Sequence, residues 1–359
     1  MKKYEKIKPL TKAQQVILTL FLDGDRRQSS DVFQNLVASG EKIALVTVKR
    51  GLAKMSRSGF LEVTGSGRST GYAITVWGRF NTSVDAGKYC AEEPDKRSSG
   101  AGYRFDLLRY FERDPFQKEE HFALASATLG YRKKIAGISP VLREKEFQRF
   151  VIELSWKSSK IEGNTYTLLD TEKLLARGEK APGRSQQETQ MILNHKAAFN
   201  LIYGNIRQFN KLTPLNIREV HKILVKNLTV NTGWRNSAVG IAGSNYRPLD
   251  NRHQIEDAMN LFVKSVNKQK NPYARALFTL LGISYIQPFE DGNKRAGRLL
   301  ANALLLANNL APLSYRSVKE DEYKEATMVF YELNSIQPLK KIFMEQYKFA
   351  AENYSVKPA

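Results

Sequence analysis

Cysteine is almost missing from this 359-residue sequence, in which Cys90 is the only one. A single thiol excludes an internal disulfide framework and a zinc site built from cysteines, and it is typical of a reducing compartment. Apolar runs of about 18 residues are also missing, and the first residues, MKKYEKIKPLTK, lack the apolar core of a signal peptide. We therefore expect a soluble, cytoplasmic protein without membrane contact, built from roughly two or three domains.

Acidic residues are few relative to basic ones. Fifty-six lysines and arginines against 36 aspartates and glutamates give a formal net charge of +20. A field of this sign attracts polyanions such as nucleic acids and nucleotides. The alternative is a basic protein without a specific anionic partner, because the excess charge is spread along the chain.

The N-terminal residues have the pattern of three helices followed by a β-hairpin. The predicted elements are a helix after the N-cap Thr11, a helix from Ser29, a helix ending near Gly59, and strands at 60–64 and 71–75. This order resembles the winged helix-turn-helix superfamily, so residues 1–80 are predicted to form such a domain.

Five basic residues are predicted on the exposed side of the third helix and at the hairpin tip: Lys49, Arg50, Lys54, Arg57 and Arg68. In a winged helix these positions suit phosphate contact or base reading. Winged helices also serve as protein-interaction modules, so DNA binding is one of two interpretations of this domain.

The remaining chain is predicted to be helical, with two exceptions. Residues 81–102 are polar, Gly/Ser-rich and without apolar periodicity, which predicts a linker. Residues 236–250 alternate apolar residues with glycines, which predicts a β-hairpin. The expected fold is therefore mainly α-helical, with a small β-hairpin and an N-terminal winged-helix domain.

Two apolar helical runs, 274–286 and 299–307, flank the polar loop QPFEDGNKRAGR at 287–298. Pro288 disfavours continuation of the first helix, and Gly292 tolerates unusual backbone angles where the second should begin. The N–H groups at a helix start favour an anion, and a nearby carboxylate, Asp291, can hold a Mg²⁺ that bridges phosphates. The loop therefore predicts a phosphate site, to which three cations add charge: Lys294, Arg295 and Arg298.

This loop resembles the signature of the Fic family (filamentation induced by cAMP), H-P-F-x-[D/E]-G-N-[G/K]-R-x-x-R. The matching positions are Pro288, Phe289, Asp291, Gly292, Asn293, Lys294, Arg295 and Arg298. The resemblance implies an all-helical domain of a kind that mostly transfers AMP from ATP to a target hydroxyl. It also implies Mg²⁺ at Asp291, the α- and β-phosphates at Asn293 and Arg295, and the γ-phosphate at Arg298.

The first signature position is histidine in the family and Gln287 here. In the family this histidine is the general base, and a carboxamide cannot accept a proton near neutral pH. Nucleotide binding is therefore expected to persist with weak or absent transfer, whether Gln287 is natural or engineered. Lys294 matches the variant of Doc-type members, which act as kinases, so a Doc-like phosphotransferase is a further alternative.

A second stretch, SSKIEGN at 158–164, resembles the family's inhibitory motif [S/T]-x-x-x-E-[G/N]. Ser158 and Glu162 are four residues apart and share a helix face, and Gly163 suits a helix end. The resemblance implies that Glu162 reaches Arg298 and competes with the γ-phosphate, because one guanidinium cannot pair with both. It also implies the class in which the inhibitory helix precedes the core in the same chain.

The chain is therefore expected to divide into consecutive regions: the winged helix at 1–80, the linker at 81–102, a helical region with the inhibitory motif at 103–205, the Fic core at 206–350 and a tail at 351–359. The Fic resemblance covers about residues 103–350 of these. The hairpin at 236–250 would be the family's flap, which holds a target protein as an added strand. His221, in the helix LTPLNIREVHKIL, is interpreted as structural. The alternative function is a nucleotide-sensing regulator that binds DNA through the winged helix, and a homodimer is compatible with either function.

Overall fold

Helices dominate the protein, as the apolar patterning predicts. The computed structural model describes residues 10–97, 100 and 102–357, so parts of the predicted winged helix (1–9), linker (98, 99 and 101) and tail (358–359) lie outside the described residues. The chain divides into two compact units. The first comprises the described residues up to Tyr110 with Gly240–Arg247 and Glu325–Lys340, and the second comprises Phe111–Val239, Pro248–Lys324 and the described residues from Lys341.

The first unit begins with three helices and an antiparallel hairpin, in the predicted order. These elements are α1 (Lys12–Thr19), α2 (Ser29–Ala38), α3 (Leu45–Arg57), β1 (Leu61–Thr64) and β2 (Gly71–Ile74). Thr11 caps α1 as predicted, because its hydroxyl accepts a hydrogen bond from the Gln14 N–H. Leu61 pairs with Ile74 across the hairpin, which makes the only sheet among the described residues.

The predicted linker is partly helical. α4 (Val76–Asn81) is followed by α5 (Ala86–Ala91), whose start is capped by the side chain of Asp85. Tyr89 donates a hydrogen bond of 2.6 Å to the buried carboxylate of Glu332, and Arg97 donates one of 3.1 Å to the same group. The expectation of an unpatterned linker is therefore wrong for α5, because contacts with a distant carboxylate stabilise a helix that has no apolar periodicity of its own.

The other helices contribute mainly to the second unit, and α14 and α15 each have one part in the first. They are α6 (Lys118–Ala136), α7 (Pro140–Ile161), α8 (Leu168–Arg177), α9 (Gln186–Gly204), α10 (Pro214–Leu224), α11 (Arg252–Lys268), α12 (Pro272–Ile286), α13 (Asn293–Ala307), α14 (Glu320–Leu333) and α15 (Gln337–Asn353). α12 and α13 pack against each other and are almost completely buried, which explains their continuous apolar runs. In the described part of the chain, no helix combines the length and apolarity needed to cross a membrane.

Residues 236–250 do not form the predicted β-hairpin. The segment contains turns and one isolated bridge, between Arg247 and Gly102, so the expectation of paired strands is wrong. The side chain of Arg235 closes the segment instead, donating hydrogen bonds to the carbonyl oxygens of Ser237 (2.5 Å) and Leu249. Because a guanidinium holds the two ends, the glycine-rich segment needs no backbone ladder to stay closed.

Candidate functional site

The loop between α12 and α13 begins and ends at residues with left-handed backbone angles. Gln287 follows α12 with φ +50°, and Gly292 precedes α13 with φ +81°. A glycine adopts this conformation without strain, whereas a glutamine there costs about 1 kcal/mol or more. The chain therefore leaves the first helix and enters the second at the positions that Pro288 and Gly292 predict.

The buried side chain of Asn293 holds the loop together from inside. Its Oδ1 accepts a hydrogen bond of 2.9 Å from the Phe289 N–H, and its Nδ2 donates to the Phe289 carbonyl at 2.8 Å. The same Nδ2 donates to Oε1 of Gln287 at 2.8 Å. Asn293 thus has a conformational role in addition to the phosphate contact that the resemblance implies.

The Gln287 carboxamide is fixed within the protein. Its Nε2 donates to the Ser284 carbonyl at 2.6 Å, while its Oε1 accepts from Asn293. Nε of Arg235 donates a hydrogen bond of 2.6 Å to the backbone carbonyl of Gln287. The position that the resemblance aligns with the family's base therefore holds an oriented group that has no basic lone pair near neutral pH.

Phe289 anchors the loop in the core, between two other rings. It is fully buried and stacks on His221, with ring centroids 3.5 Å apart and an interplanar angle of 1°. The ring centroid of Trp234 lies 5.2 Å from that of Phe289. Nε2 of His221 lies 2.9 Å from the carbonyl oxygen of Asp291. Burial lowers the pKa of His221 to about 4, so the ring is neutral at physiological pH.

The structure brings Ser158 and Glu162, of the stretch that resembles the inhibitory motif, together with Arg298. Nη2 of Arg298 donates to Oε1 of Glu162 at 2.8 Å and to the Ser158 carbonyl at 2.8 Å, and its Nε donates to the Ser158 hydroxyl at 2.9 Å. Gly163 ends the motif with φ +96°, a left-handed angle suited to glycine. Nζ of Lys294 lies 3.7 Å from the second oxygen of Glu162, so two cations face this carboxylate.

The charge on Glu162 is stabilised by these cations. Burial by itself raises the pKa of this carboxyl group, but Arg298 and Lys294 outweigh burial and hold the pKa below its usual value. Burial likewise lowers the pKa of Arg298, and the attraction of Glu162 outweighs it, so the pKa is raised. Both groups are therefore charged at neutral pH and form a partly buried, charge-assisted contact.

Two buried guanidinium nitrogens in this region have donors to spare. Within the described part of the chain, Nη1 of Arg295 and Nη1 of Arg298 have no hydrogen-bond partner. Burial lowers the pKa of His195, on α9, and the two arginines lower it further, so this fully buried ring stays neutral beside them. Because an unsatisfied buried donor costs about 1–3 kcal/mol, the arrangement suits an anion with several oxygens, such as a polyphosphate.

Asp291 has the exposure expected of a residue that meets a ligand. Its side chain is 61% exposed, and its Oδ2 accepts a hydrogen bond of 2.8 Å from Arg295. Among the described residues, no three His, Cys, Asp or Glu side chains cluster into a metal site. One carboxylate nevertheless fits Mg²⁺, which commonly takes its other ligands from phosphate oxygens and water.

All five basic residues predicted on the N-terminal domain are exposed. Four lie on α3 and one in the turn between β1 and β2: Lys49, Arg50, Lys54, Arg57 and Arg68.

Arg235 is a site residue that sequence reasoning missed. An arginine in a Gly- and Ser-rich stretch has the pattern of a surface residue, yet Arg235 is only 2% exposed.

Comparison with known proteins gives a match to the Fic/DOC family over residues 211–305. A protein adenylyltransferase Fic from Nematostella vectensis is 25% identical over 214 residues, which are 58% of this chain and 47% of that protein. A protein adenylyltransferase fic-1 from Caenorhabditis elegans is 22% identical over 199 residues, 54% of this chain and 39% of that protein. The chain thus matches less than half the length of these curated relatives.

Solved structures of Fic proteins share the fold of this chain. Fic-1 from C. elegans superposes with a TM-score of 0.55 at 19% identity, covering 66% of this chain and 71% of that one. A Fic domain-containing signalling protein from Bacteroides thetaiotaomicron gives a TM-score of 0.52 at 20% identity, covering 66% of this chain and 99% of that one. At these identities the likeness establishes the fold.

Proposed function

Because the chain contains a Fic/DOC domain at residues 211–305, we propose that the protein binds Mg·ATP at the 287–298 loop. We further propose that Glu162 inhibits this binding and that Gln287 leaves AMP transfer weak or absent. The observation that carries the proposal is the Arg298–Glu162 contact of 2.8 Å, at the arginine that the Fic resemblance gives to the γ-phosphate.

The proposed phosphate contacts follow the order of the loop. Arg298 would bind the γ-phosphate, Arg295 and Asn293 the α- and β-phosphates, and the N–H groups that follow Gly292 would face the same anion. Asp291 would hold Mg²⁺, which neutralises phosphate charge. The spare Nη1 donors of both arginines support this assignment, because they offer positive charge and unused hydrogen bonds once the groups that cover them, Glu162 among them, move aside.

The proposed inhibition is a competition for one guanidinium. Glu162 occupies Nη2 of Arg298, and a γ-phosphate on that edge would have to displace the carboxylate. Lys294 adds a second attraction to Glu162 at 3.7 Å, which strengthens the inhibited arrangement. Nucleotide binding and the Glu162 contact are therefore mutually exclusive in this proposal.

The proposed acceptor is a hydroxyl group of a target protein bound near the 236–250 loop. The curated relatives are named protein adenylyltransferases, which indicates such targets for those proteins. Transfer requires a group that removes the hydroxyl proton, and the Gln287 carboxamide cannot do so. This chain would therefore bind and orient the nucleotide without an efficient proton acceptor at that position.

Titration calorimetry with Mg·ATP tests the proposal. Glu162→Gly should raise the affinity at least about tenfold, because a hydrogen bond to a charged group contributes about 1.5–3 kcal/mol and about 1.4 kcal/mol is tenfold in affinity. Glu144→Gln removes one negative charge from an exposed position of the same helix and should leave the affinity unchanged. Equal affinity in the Gly variant and the unmodified protein would refute the inhibition, and no binding in either would refute the nucleotide site.

We propose nucleotide-sensing DNA binding as a second candidate function. It is favoured by the exposure of every basic residue that the winged-helix resemblance assigns to DNA contact. Exposed cations on one helix and one hairpin tip match a helix in the major groove with phosphate contacts beside it.

Changing Lys49, Arg50 and Lys54 together to alanine should weaken duplex DNA binding. We expect the slope of log affinity against log salt to fall by about one for each DNA phosphate that the variant no longer neutralises. Fluorescence anisotropy with a labelled duplex at several salt concentrations measures both quantities. A control variant with the same change of net charge replaces exposed lysines of the second unit: Lys133, Lys145 and Lys222. If both variants lose affinity equally, the N-terminal helices are not the DNA-binding surface.

A further inference from the structure

The imidazole of His221 contacts two residues in the first half of the loop, Phe289 and Asp291. Its ring stacks face to face on Phe289, and its Nε2 lies 2.9 Å from the carbonyl oxygen of Asp291. A Cβ placed on Gly292 would lie 3.5 Å from the same ring. One side chain from another helix thus contacts an aromatic anchor and a backbone carbonyl, and it lies beside the glycine that precedes α13.

The hydrogen bond to Asp291 fixes how His221 is protonated. A carbonyl oxygen only accepts, so Nε2 must carry the hydrogen and donate it. Nδ1 is buried and, within the described residues, has no hydrogen-bond partner. The ring is covered by Phe289 and completely buried, which leaves no route for a reacting hydroxyl to reach Nδ1. His221 is therefore placed to hold the backbone rather than to act as a base.

The start of the helix that carries His221 is fixed by a cap. α10 starts with a reciprocal cap, in which the Thr213 hydroxyl accepts from the Asn216 N–H and the Asn216 side chain accepts from the Thr213 N–H. Asn216 also donates to the Lys211 carbonyl at 3.2 Å. The imidazole thus projects from a fixed support toward the loop.

We propose that His221 is a positioning residue that sets the conformation of the phosphate-binding loop. Because a peptide unit is planar and trans, holding the Asp291 carbonyl against α10 directs the N–H of Gly292 to the opposite side. The stack of the His221 ring on Phe289 fixes the loop at a second point, two residues before Asp291. This inference rests on the proposed nucleotide function. In it, a residue outside the loop determines the conformation of the loop.

Two substitutions separate the two contacts of His221. His221→Phe keeps a ring to stack on Phe289 and removes the donor to Asp291, whereas His221→Gln keeps an N–H donor and removes the stack. His253→Phe makes the same chemical change at an exposed histidine on α11 and is the matched control. Thermal unfolding of each variant identifies any that fails to fold. If His221→Phe fails to fold, the measurements on His221→Gln decide whether His221 positions the loop.

The first readout needs no nucleotide. Amide hydrogen exchange over residues 289–295 should be faster in His221→Phe than in His253→Phe, with the remaining exchange pattern unchanged. The second readout is Mg·ATP affinity in a Glu162→Gly background. We expect His221→Phe to lower it about tenfold, as is typical for removal of a group that orients a metal ligand, and His221→Gln to restore part of the affinity.

The outcomes separate the two proposals. Unchanged exchange in both His221 variants, or unchanged Mg·ATP affinity despite faster exchange, would overturn the positioning role. Absence of Mg·ATP binding in the Glu162→Gly background itself would contradict the proposed function, and exchange alone would then decide whether His221 holds the loop. Faster exchange with weaker binding, partly restored by glutamine, would support the inference.

Discussion

The double variant Gln287→His with Glu162→Gly is expected to transfer AMP, whereas the unmodified protein is expected to transfer little or none. A positioned general base contributes about 100- to 10,000-fold to rate. An imidazole at 287 can donate one ring N–H to the Ser284 carbonyl, as the carboxamide does now, and keep the other nitrogen as the base. The measurement is label transfer from α-labelled ATP to protein.

The controls identify which reaction occurs. Gln287→Asn with Glu162→Gly also frees Arg298 but supplies no base, so it should remain inactive. Label from γ-labelled ATP, without label from α-labelled ATP, would indicate a phosphotransferase of the Doc kind instead. A double variant that binds Mg·ATP tightly and transfers neither label would contradict the proposal that the missing base at position 287 is what prevents AMP transfer.

Replacing Arg235 by methionine is expected to destabilise the second unit by about 3–5 kcal/mol. The guanidinium donates to three carbonyl oxygens, those of Ser237, Leu249 and Gln287, and methionine leaves them without these donors in a buried place. Chemical denaturation followed by circular dichroism measures the change. The backbone of the 287–298 loop should also become more mobile at Gln287, because the Gln287 carbonyl then loses its hydrogen bond from the Arg235 guanidinium.

A second arginine in the same segment provides the comparison for this variant. Arg247 is exposed, so Arg247→Met should change stability by less than about 0.5 kcal/mol. A cost below about 1 kcal/mol for Arg235→Met would mean that other donors or water satisfy the three carbonyls. In that case the closure of residues 236–249 would not depend on the guanidinium.

The features that the sequence predicted correctly are those with local causes. Thr11 caps a helix through a bond to Gln14 three residues away, and the break between α12 and α13 follows from Pro288 and Gly292. The length of both apolar runs follows from burial on all sides. The cap and the break depend on neighbours within a turn or two, so residue type and spacing are sufficient to predict them. A continuous apolar run likewise predicts a helix that is buried on all sides, although not which helices cover it.

The features that only the tertiary structure decided depend on contacts between residues far apart in the sequence. α5 has no apolar period and is stabilised through Glu332, and the 236–250 segment is closed by the Arg235 guanidinium instead of a strand ladder. His221 meets Asp291 across 70 positions. Periodicity carries no information about such pairs, because the partner of a buried polar group is set by how helices pack. The sequence alone therefore determined where the two apolar helices break and which residues the loop contains, and packing decided which groups hold that loop in place.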